Sequence, residues 1–143
     1  MIGDAMAKEL INAALEGRKN AYAPYSGYTV GAAILTERGE IFSGCNVENA
    51  SYGATICAER VAICSAVAAG QTGIKALAVI GGRAEERDEM SGEAAPCGVC
   101  RQVLREFTDP ADCDVVIAKS TTNYRIFKLN ELLPESFGPE KLK

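Results

Sequence analysis

The segment Ile74–Ile80, apolar apart from Lys75, is the feature that most limits the folds open to this chain. A strand with one face in water alternates apolar and polar residues, whereas a nearly continuous apolar run is typical of a strand covered on both faces. Such a strand needs helices on each side of its sheet, so an α/β unit is expected. The polar stretch Gly81–Glu93 that follows is predicted to be a surface loop.

Three longer helices are predicted from apolar spacing and from start and stop residues. They cover Asp4–Arg18 with Asp4 as the N-cap, Cys57–Ala69 before Gly70, and Cys97–Phe107 after Pro96. The expected apolar faces of the second and third helices are Val61, Ile63, Cys64 and Val67, and Val99, Val103, Leu104 and Phe107.

Two pairs of strands accompany these helices. Tyr28–Leu35 and Glu40–Gly44 flank a turn and predict an antiparallel hairpin. Asp114–Ala118 and Arg125–Leu129 are joined by only six residues. Because a parallel crossover needs about a dozen residues or more, this second pair is also expected to be antiparallel. A short helix is predicted over Asn130–Leu133.

Length and charge limit the classes of function. The 143 residues are expected to form one domain spanning 1–143. A net charge of −4 and a pI near 4.9 argue against a protein that binds a nucleic acid polymer through its phosphates. No apolar run approaches the ~18–20 residues of a membrane helix. The first nine residues lack the layout of a signal peptide, so a cytoplasmic location is expected.

Histidine is absent from the sequence, which removes the commonest general base and the commonest metal ligand. Catalysis therefore has to use cysteine, acidic residues, lysine or tyrosine. Six cysteines are present. In a reducing compartment, clustered thiols are more typical of metal ligands than of disulfides.

The chemistry is concentrated in Cys57-Ala58-Glu59 and Pro96-Cys97-Gly98-Val99-Cys100. A catalytic zinc site uses three protein ligands and leaves the fourth position to water. Two cysteines of a C-x-x-C in the first turn of a helix can point their sulfurs to one side, where the helix dipole favours thiolates. Cys57 can supply the third sulfur, and Glu59 can reach the water. This combination is the pattern of zinc deaminases, with cysteine replacing histidine.

Further segments match one family in order and spacing. They are Ala23-Pro24-Tyr25-Ser26, Val30-Gly31-Ala32-Ala33, Gly44-Cys45-Asn46-Val47-Glu48-Asn49, Cys57-Ala58-Glu59-Arg60, Pro96-Cys97-Gly98-Val99-Cys100-Arg101-Gln102 and Glu131-Leu132-Leu133-Pro134. With these segments the chain resembles the homotetrameric cytidine deaminases over nearly its whole length. The resemblance implies a three-layer α/β/α sandwich around a five-stranded mixed sheet.

The resemblance also implies roles for residues of the two motifs. Cys57, Cys97 and Cys100 would bind one Zn²⁺ per subunit, which activates a water for attack on C4 of cytosine. Glu59 would move the protons. Arg60 would donate hydrogen bonds to ligand sulfurs and offset the charge of three thiolates. The implied reaction converts cytidine and 2′-deoxycytidine to uridine and 2′-deoxyuridine with release of ammonia, in pyrimidine salvage.

Five further positions are implied to contact substrate. Asn46 and Glu48 would hold the ribose hydroxyls, and the charge of Glu48 favours free nucleosides over nucleotides. Tyr28 would pack on the base, and Ala58 would contact the substrate. Phe137 would reach the pocket of a neighbouring subunit, so a homotetramer with mutually completed sites is expected.

The motifs by themselves also allow other functions. A C-x-x-C motif by itself is also typical of structural zinc or redox sites. A related zinc deaminase could act on another small aminopyrimidine, such as blasticidin S, or on cytosine in a polynucleotide. A non-catalytic, zinc-stabilised binding module would need a fourth protein ligand, for which Cys45 is a candidate. Cys64 and Cys113, like Cys45, are otherwise expected to be small hydrophobic residues or surface thiols.

Overall fold

A mixed five-stranded sheet forms the centre of the computed structural model, which describes residues 1–143. Its strands are Tyr28–Thr36 (β1), Ile41–Cys45 (β2), Ile74–Arg83 (β3), Asp114–Ala118 (β4) and Tyr124–Lys128 (β5). Their order across the sheet is β2-β1-β3-β4-β5. Only β3 and β4 are parallel, and both predicted hairpin pairs are antiparallel. The predicted five-stranded mixed sheet is confirmed.

Helices cover both faces of this sheet. They span Asp4–Arg18 (α1), Ala58–Ala68 (α2), Gly98–Glu106 (α3) and Leu129–Leu132 (α4). One core cluster joins α1 to the sheet, and the other joins α2, α3 and α4 to the opposite face. Side chains alternate between these clusters along β1, since Ile34 belongs to one and Ala33 to the other. The predicted three-layer arrangement is confirmed.

The central strand β3 is longer than predicted. It continues through Gly81 and Gly82 to Arg83, pairing with the start of β1. A Cβ at Gly81 would lie 2.9 Å from Val30 Cγ2 and 3.0 Å from Ala94 Cβ. Glycine is therefore needed here for close approach, although paired glycines in a sequence are typical of turns. The predicted loop is wrong for these three residues.

The buried face of α2 also differs from the prediction. Ala58, Ala62, Ile63 and Ala66 are buried, whereas Cys64 is exposed. The helix lies so close to β2 that a Cβ at Gly44 would be 2.6 Å from Ala62 N. Alanine fits this narrow space, and the larger Val61 and Val67 are displaced to the margin of the face.

Two further predictions are wrong, one for the N-cap of α1 and one for the apolar face of α3. Gly3, not Asp4, is the N-cap of α1; the Asp4 side chain instead pairs with Lys8 at 3.3 Å. On α3, Leu104 is buried as expected but Val99 is 57% exposed. Val99 lies in the first turn of α3. No helix of the chain has the length and apolar character required to cross a membrane.

Candidate active site

The starts of α2 and α3 bring three cysteines together from distant parts of the chain. Cys57 is the N-cap of α2, and Cys97 is the N-cap of α3. Both have extended backbone, with ψ of 152° and 168°, so each side chain leaves the chain just ahead of its helix. Cys100 lies in the first turn of α3. The positive end of each helix dipole therefore favours thiolates at this point.

The three sulfur atoms have the spacing that zinc requires. Cys57 Sγ is 3.8 Å from Cys97 Sγ, which is 3.5 Å from Cys100 Sγ, and all three lie within 4.8 Å of one another. Zinc–sulfur bonds of ~2.3 Å in a tetrahedral site place sulfurs about 3.8 Å apart. The donor set therefore fits zinc and leaves one position for water. Cys45, the candidate fourth ligand, lies on β2 outside the cluster.

One of these thiols is already favoured as a thiolate by its neighbours. The neighbouring Cys100 thiol, followed by the Arg60 guanidinium, lowers the pKa of Cys57 to about 5. The closeness of Cys57, together with burial, raises the pKa of Cys100. The thiolate form is therefore favoured at Cys57 and disfavoured at Cys100.

Arg60 lies against the cluster. Its Nη2 is 3.6 Å from Cys57 Sγ and 3.5 Å from the Thr55 carbonyl oxygen. The hydrogen bond to Cys57 also raises the pKa of Arg60. Such a contact would allow the guanidinium to withdraw charge from the Cys57 sulfur, which is the role that the family resemblance implies for Arg60.

Glu59 is a buried carboxyl group in the first turn of α2, with 4% of its surface exposed. Burial is the main cause that raises its pKa above the ordinary value for glutamate. A carboxyl group whose pKa moves toward neutrality can both accept and donate a proton during a reaction. Its place beside the sulfur cluster suits acid–base chemistry at a water held there.

A cavity of about 390 Å³ opens beside the cluster. Its apolar surface includes Val30, Ile56, Val79 and Ala94. Of the residues expected at the site, it is lined by Tyr28, Asn46, Cys57, Ala58, Glu59 and Cys97. Apolar walls with a few polar groups are typical of a pocket for a small-molecule ligand.

Asn46 has a structural function in addition to its place in the cavity. Its Oδ1 accepts a hydrogen bond from Val30 N at 2.9 Å, and its Nδ2 donates to the Tyr28 carbonyl oxygen at 2.9 Å. The amide thus crosslinks the segment after β2 to β1. One N–H and one lone pair remain available to a ligand.

Glu48 lines an adjoining cavity of about 380 Å³ rather than the main one. Its carboxylate accepts hydrogen bonds from Tyr25 N, Ser26 N and the Ser26 hydroxyl. The hydrogen bond from the Ser26 hydroxyl is the main reason that the pKa of Glu48 is lowered. Thr55 lines both cavities, so the two spaces are neighbours.

Phe137 does not reach the cavity of its own chain. Its side chain is 57% exposed, and its carbonyl oxygen accepts a hydrogen bond from Gln102 Nε2 at 2.9 Å. The structure therefore presents this aromatic ring on the surface, on a tail attached to α3.

The cavity also contains residues that the sequence does not single out. Glu93 and Ala95 line it from the segment that precedes Cys97. Val79 comes from the buried strand β3, where nothing in the pattern separates a cavity residue from a core residue. The only sequence signal that could have placed Glu93 in the cavity is its position three residues before Pro96. A residue so close in sequence to the Cys97 motif is expected to lie close to it in space.

Comparison with known proteins agrees with this geometry. Residues 5–117 match the family model of the cytidine and deoxycytidylate deaminase zinc-binding region. A cytidine deaminase of Halalkalibacterium halodurans is 39% identical over 93% of this chain and 95% of its own length. A probable cytidine deaminase of Dictyostelium discoideum is 40% identical over 94% of this chain and 86% of its own.

Solved structures show the same similarity. A cytidine deaminase from Burkholderia pseudomallei is 45% identical, with a TM-score of 0.79 over 96% of this chain and 100% of the other. One from Mycobacterium tuberculosis is 36% identical, with a TM-score of 0.74 over 91% of this chain and 95% of the other.

Proposed function

Since the chain belongs to the cytidine and deoxycytidylate deaminase family and is a deaminating hydrolase, we propose that its substrates are cytidine and 2′-deoxycytidine. The products are uridine or 2′-deoxyuridine and ammonia, and the role is pyrimidine salvage. The observation that carries the proposal is the cluster of Cys57, Cys97 and Cys100 sulfurs beside a cavity that contains the buried Glu59.

Cys57, Cys97 and Cys100 would hold one zinc ion per subunit. When bound, zinc supplies the Lewis acidity that lowers the pKa of a water in the cavity to near neutrality. Arg60, through its contact with Cys57, offsets part of the negative charge of the three thiolates.

Glu59 carries the proton transfers. Its carboxylate accepts a proton from the attacking water and delivers it to ring N3 while the water oxygen bonds to C4. Glu59 then takes the proton of the new C4 hydroxyl and delivers it to the exocyclic nitrogen. The C4–N bond breaks as the C4=O bond forms, and ammonia leaves. One water is consumed for each nucleoside, and the carboxyl group returns to its initial state.

The walls of the cavity suit a pyrimidine base. Tyr28 and Val30 offer apolar surface from β1. Ala58 is the first residue of α2, so its backbone N–H has no partner within the helix and can donate to a base carbonyl. Asn46 retains one donor and one acceptor for a ribose hydroxyl, and Glu48, which lines the adjoining cavity, would accept from another. The charge of Glu48 disfavours a phosphate at this point.

We propose a homotetramer in which Phe137 of one subunit completes the pocket of another. The exposure of Phe137 and its distance from the cavity of its own chain support this arrangement. A reducing compartment such as the cytoplasm suits three thiols that have to remain reduced to bind a metal.

The test is an assay of cytidine turnover by the zinc-loaded protein. Turnover is monitored by the change in ultraviolet absorbance on conversion to uridine and by the release of ammonia. Glu59→Gln removes the proton carrier and is expected to lower kcat by about 10²–10⁴-fold without loss of zinc. Glu16→Gln, at an exposed position on α1, is the control and should leave kcat unchanged. No turnover of either nucleoside, or equal turnover by the Glu59 variant, would overturn the proposal.

A further inference from the structure

The cavity wall between Glu93 and Cys97 is not held by backbone hydrogen bonds. On the N-terminal side of this wall, Met90 N donates a backbone hydrogen bond to the Lys119 carbonyl oxygen at 2.8 Å. On the C-terminal side, Arg101 N donates one to the Cys97 carbonyl oxygen at 3.0 Å. Residues 91–96 take part in none. Their position therefore depends on side-chain contacts.

Ala94 packs against the core cluster on the α2 face, and two arginines hold the wall at its two ends. At the end near α3, Arg101 Nε donates to the Pro96 carbonyl oxygen at 2.7 Å. At the other end, Arg125 binds both carboxylate oxygens of Glu93, through Nε at 2.9 Å and Nη2 at 2.7 Å. A two-point arginine–carboxylate contact fixes direction as well as distance.

Arg125 is itself fixed to the sheet. It lies on β5 opposite Ile117 of β4, and its guanidinium is 5.0 Å from the centre of the Phe127 ring. Phe127 packs against the core cluster on the α2 face. The contact from Arg125 therefore attaches the cavity wall to an element that the core holds in place.

The pair is more suited to positioning than to stability. The Arg125 and Glu93 side chains are 60% and 30% exposed, and exposed ion pairs add little to the free energy of unfolding. Glu93 nevertheless lines the cavity, and the hydrogen bonds from Arg125 lower its pKa so that it stays ionised. Loss of the contact would move the wall without unfolding the domain.

We propose that the Glu93–Arg125 pair is a positioning device: it holds the wall at Ala94 and Ala95 against the bound base and restrains Cys97 at the end of that wall. Neither residue touches the reacting atoms. This inference rests on the proposed function for its effect on substrate binding, whereas its effect on Cys97 can be measured independently.

Charge reversal and charge exchange test the pair. Glu93→Arg and Arg125→Glu are each expected to raise KM for cytidine about three- to tenfold, because like charges push the wall away from β5. Their kcat should stay within about twofold, because Glu59 is untouched. The double variant with exchanged charges should recover KM to within about twofold of the starting protein.

The second measurement is the half-time of zinc loss to a colorimetric chelator. Both single variants should lose zinc at least about threefold faster, and the double variant should regain the original rate. Lys19→Glu, which reverses one charge in an exposed pair on α1, is the matched control and should change neither quantity. If a reversal prevents folding, Glu93→Gln and Arg125→Lys remove the two-point contact without introducing repulsion.

The outcomes separate the two proposals. If the starting protein deaminates neither nucleoside, the proposed function fails and the zinc-loss rates alone decide the role of the pair. If KM and zinc loss of the single variants match the starting protein, or if the exchanged pair recovers neither, the positioning role is wrong.

Discussion

Gly31 shows how strongly a single residue can control the packing of this fold. It lies on β1, where α1 crosses the strand. A Cβ at this position would lie 1.8 Å from the Ala14 carbonyl oxygen and 2.8 Å from Arg18 Cβ. Both neighbours belong to the helix itself, so relief would require the whole helix to move.

Gly31→Ala is therefore expected to destabilise the protein strongly. Overpacking of this severity costs about 3 kcal/mol, which lowers the thermal midpoint by on the order of 10 °C. The midpoint of the zinc-loaded protein measures the effect. Gly92→Ala is the control, since nothing lies within 4 Å of its Cβ position. A Gly31 variant that melts within about 2 °C of this control would contradict the packing argument.

At the scale of elements, Asp114 joins three parts of the chain. It begins β4 and is 2% exposed. Its carboxylate accepts from Lys128 Nζ on β5 at 2.7 Å and from Ile2 N ahead of α1 at 2.6 Å. These contacts attach the N-terminal segment to the start of β4 and the end of β5.

Asp114→Asn keeps the shape of the side chain but removes its charge. The expected loss is about 1–3 kcal/mol, because Lys128 is left without its counter-ion and one buried acceptor is replaced by a donor. Thermal melting should show a midpoint several degrees lower. Glu16→Gln, which breaks the exposed 2.8 Å pair with Lys19, should stay within about 1 °C. Equal midpoints for the two variants would show that the buried contact contributes little.

At the scale of the whole molecule, the sulfur cluster joins two helices whose N-caps are 40 residues apart. A metal that binds only the folded chain stabilises it according to its affinity and concentration. Removal of zinc by a chelator is therefore expected to lower the thermal midpoint by on the order of 10 °C, and added zinc should restore it.

Cysteine variants are the controls for this prediction. Cys97→Ser should bind less zinc and melt like the chelated protein. Cys64→Ser, which changes an exposed thiol outside the cluster, should retain zinc and its midpoint. A midpoint that does not change when zinc is removed would mean that the metal does not join the helices.

The proposed assembly predicts complementation between two defective chains. Phe137→Ala should lower kcat/KM by removing an aromatic group from the neighbouring pocket, and Glu59→Gln should lower kcat in its own pocket by about 10²–10⁴-fold. Mixing the two under conditions of subunit exchange should restore part of the activity, since some pockets would then combine an intact Glu59 with a neighbouring Phe137.

Each variant incubated alone under the same exchange conditions is the control. Activity of the mixture equal to the sum of the separate variants would show that Phe137 does not act in a neighbouring pocket. Size-exclusion chromatography with light scattering would show whether the chain forms the proposed tetramer.

The sequence by itself determined the type and order of the elements and the three cysteines of the sulfur cluster. Periodic apolar residues report local structure, so α1 and β4 have the predicted boundaries. The cysteines and Glu59 lie within two short motifs, where the start of a helix sets their relative placement. The joining of the two motifs in one site was predicted from the three-ligand pattern of catalytic zinc, and the family resemblance implied it again.

Only the tertiary structure decided which side chains pack or meet across long separations. The narrow space between Gly44 and Ala62 turned the buried face of α2 from the predicted residues toward its alanines, because burial depends on the distance to the neighbouring element. The contact of Glu93 with Arg125 joins residues that are 32 positions apart. No local pattern records such a contact, since it exists only where the folded backbone brings a loop and a strand together.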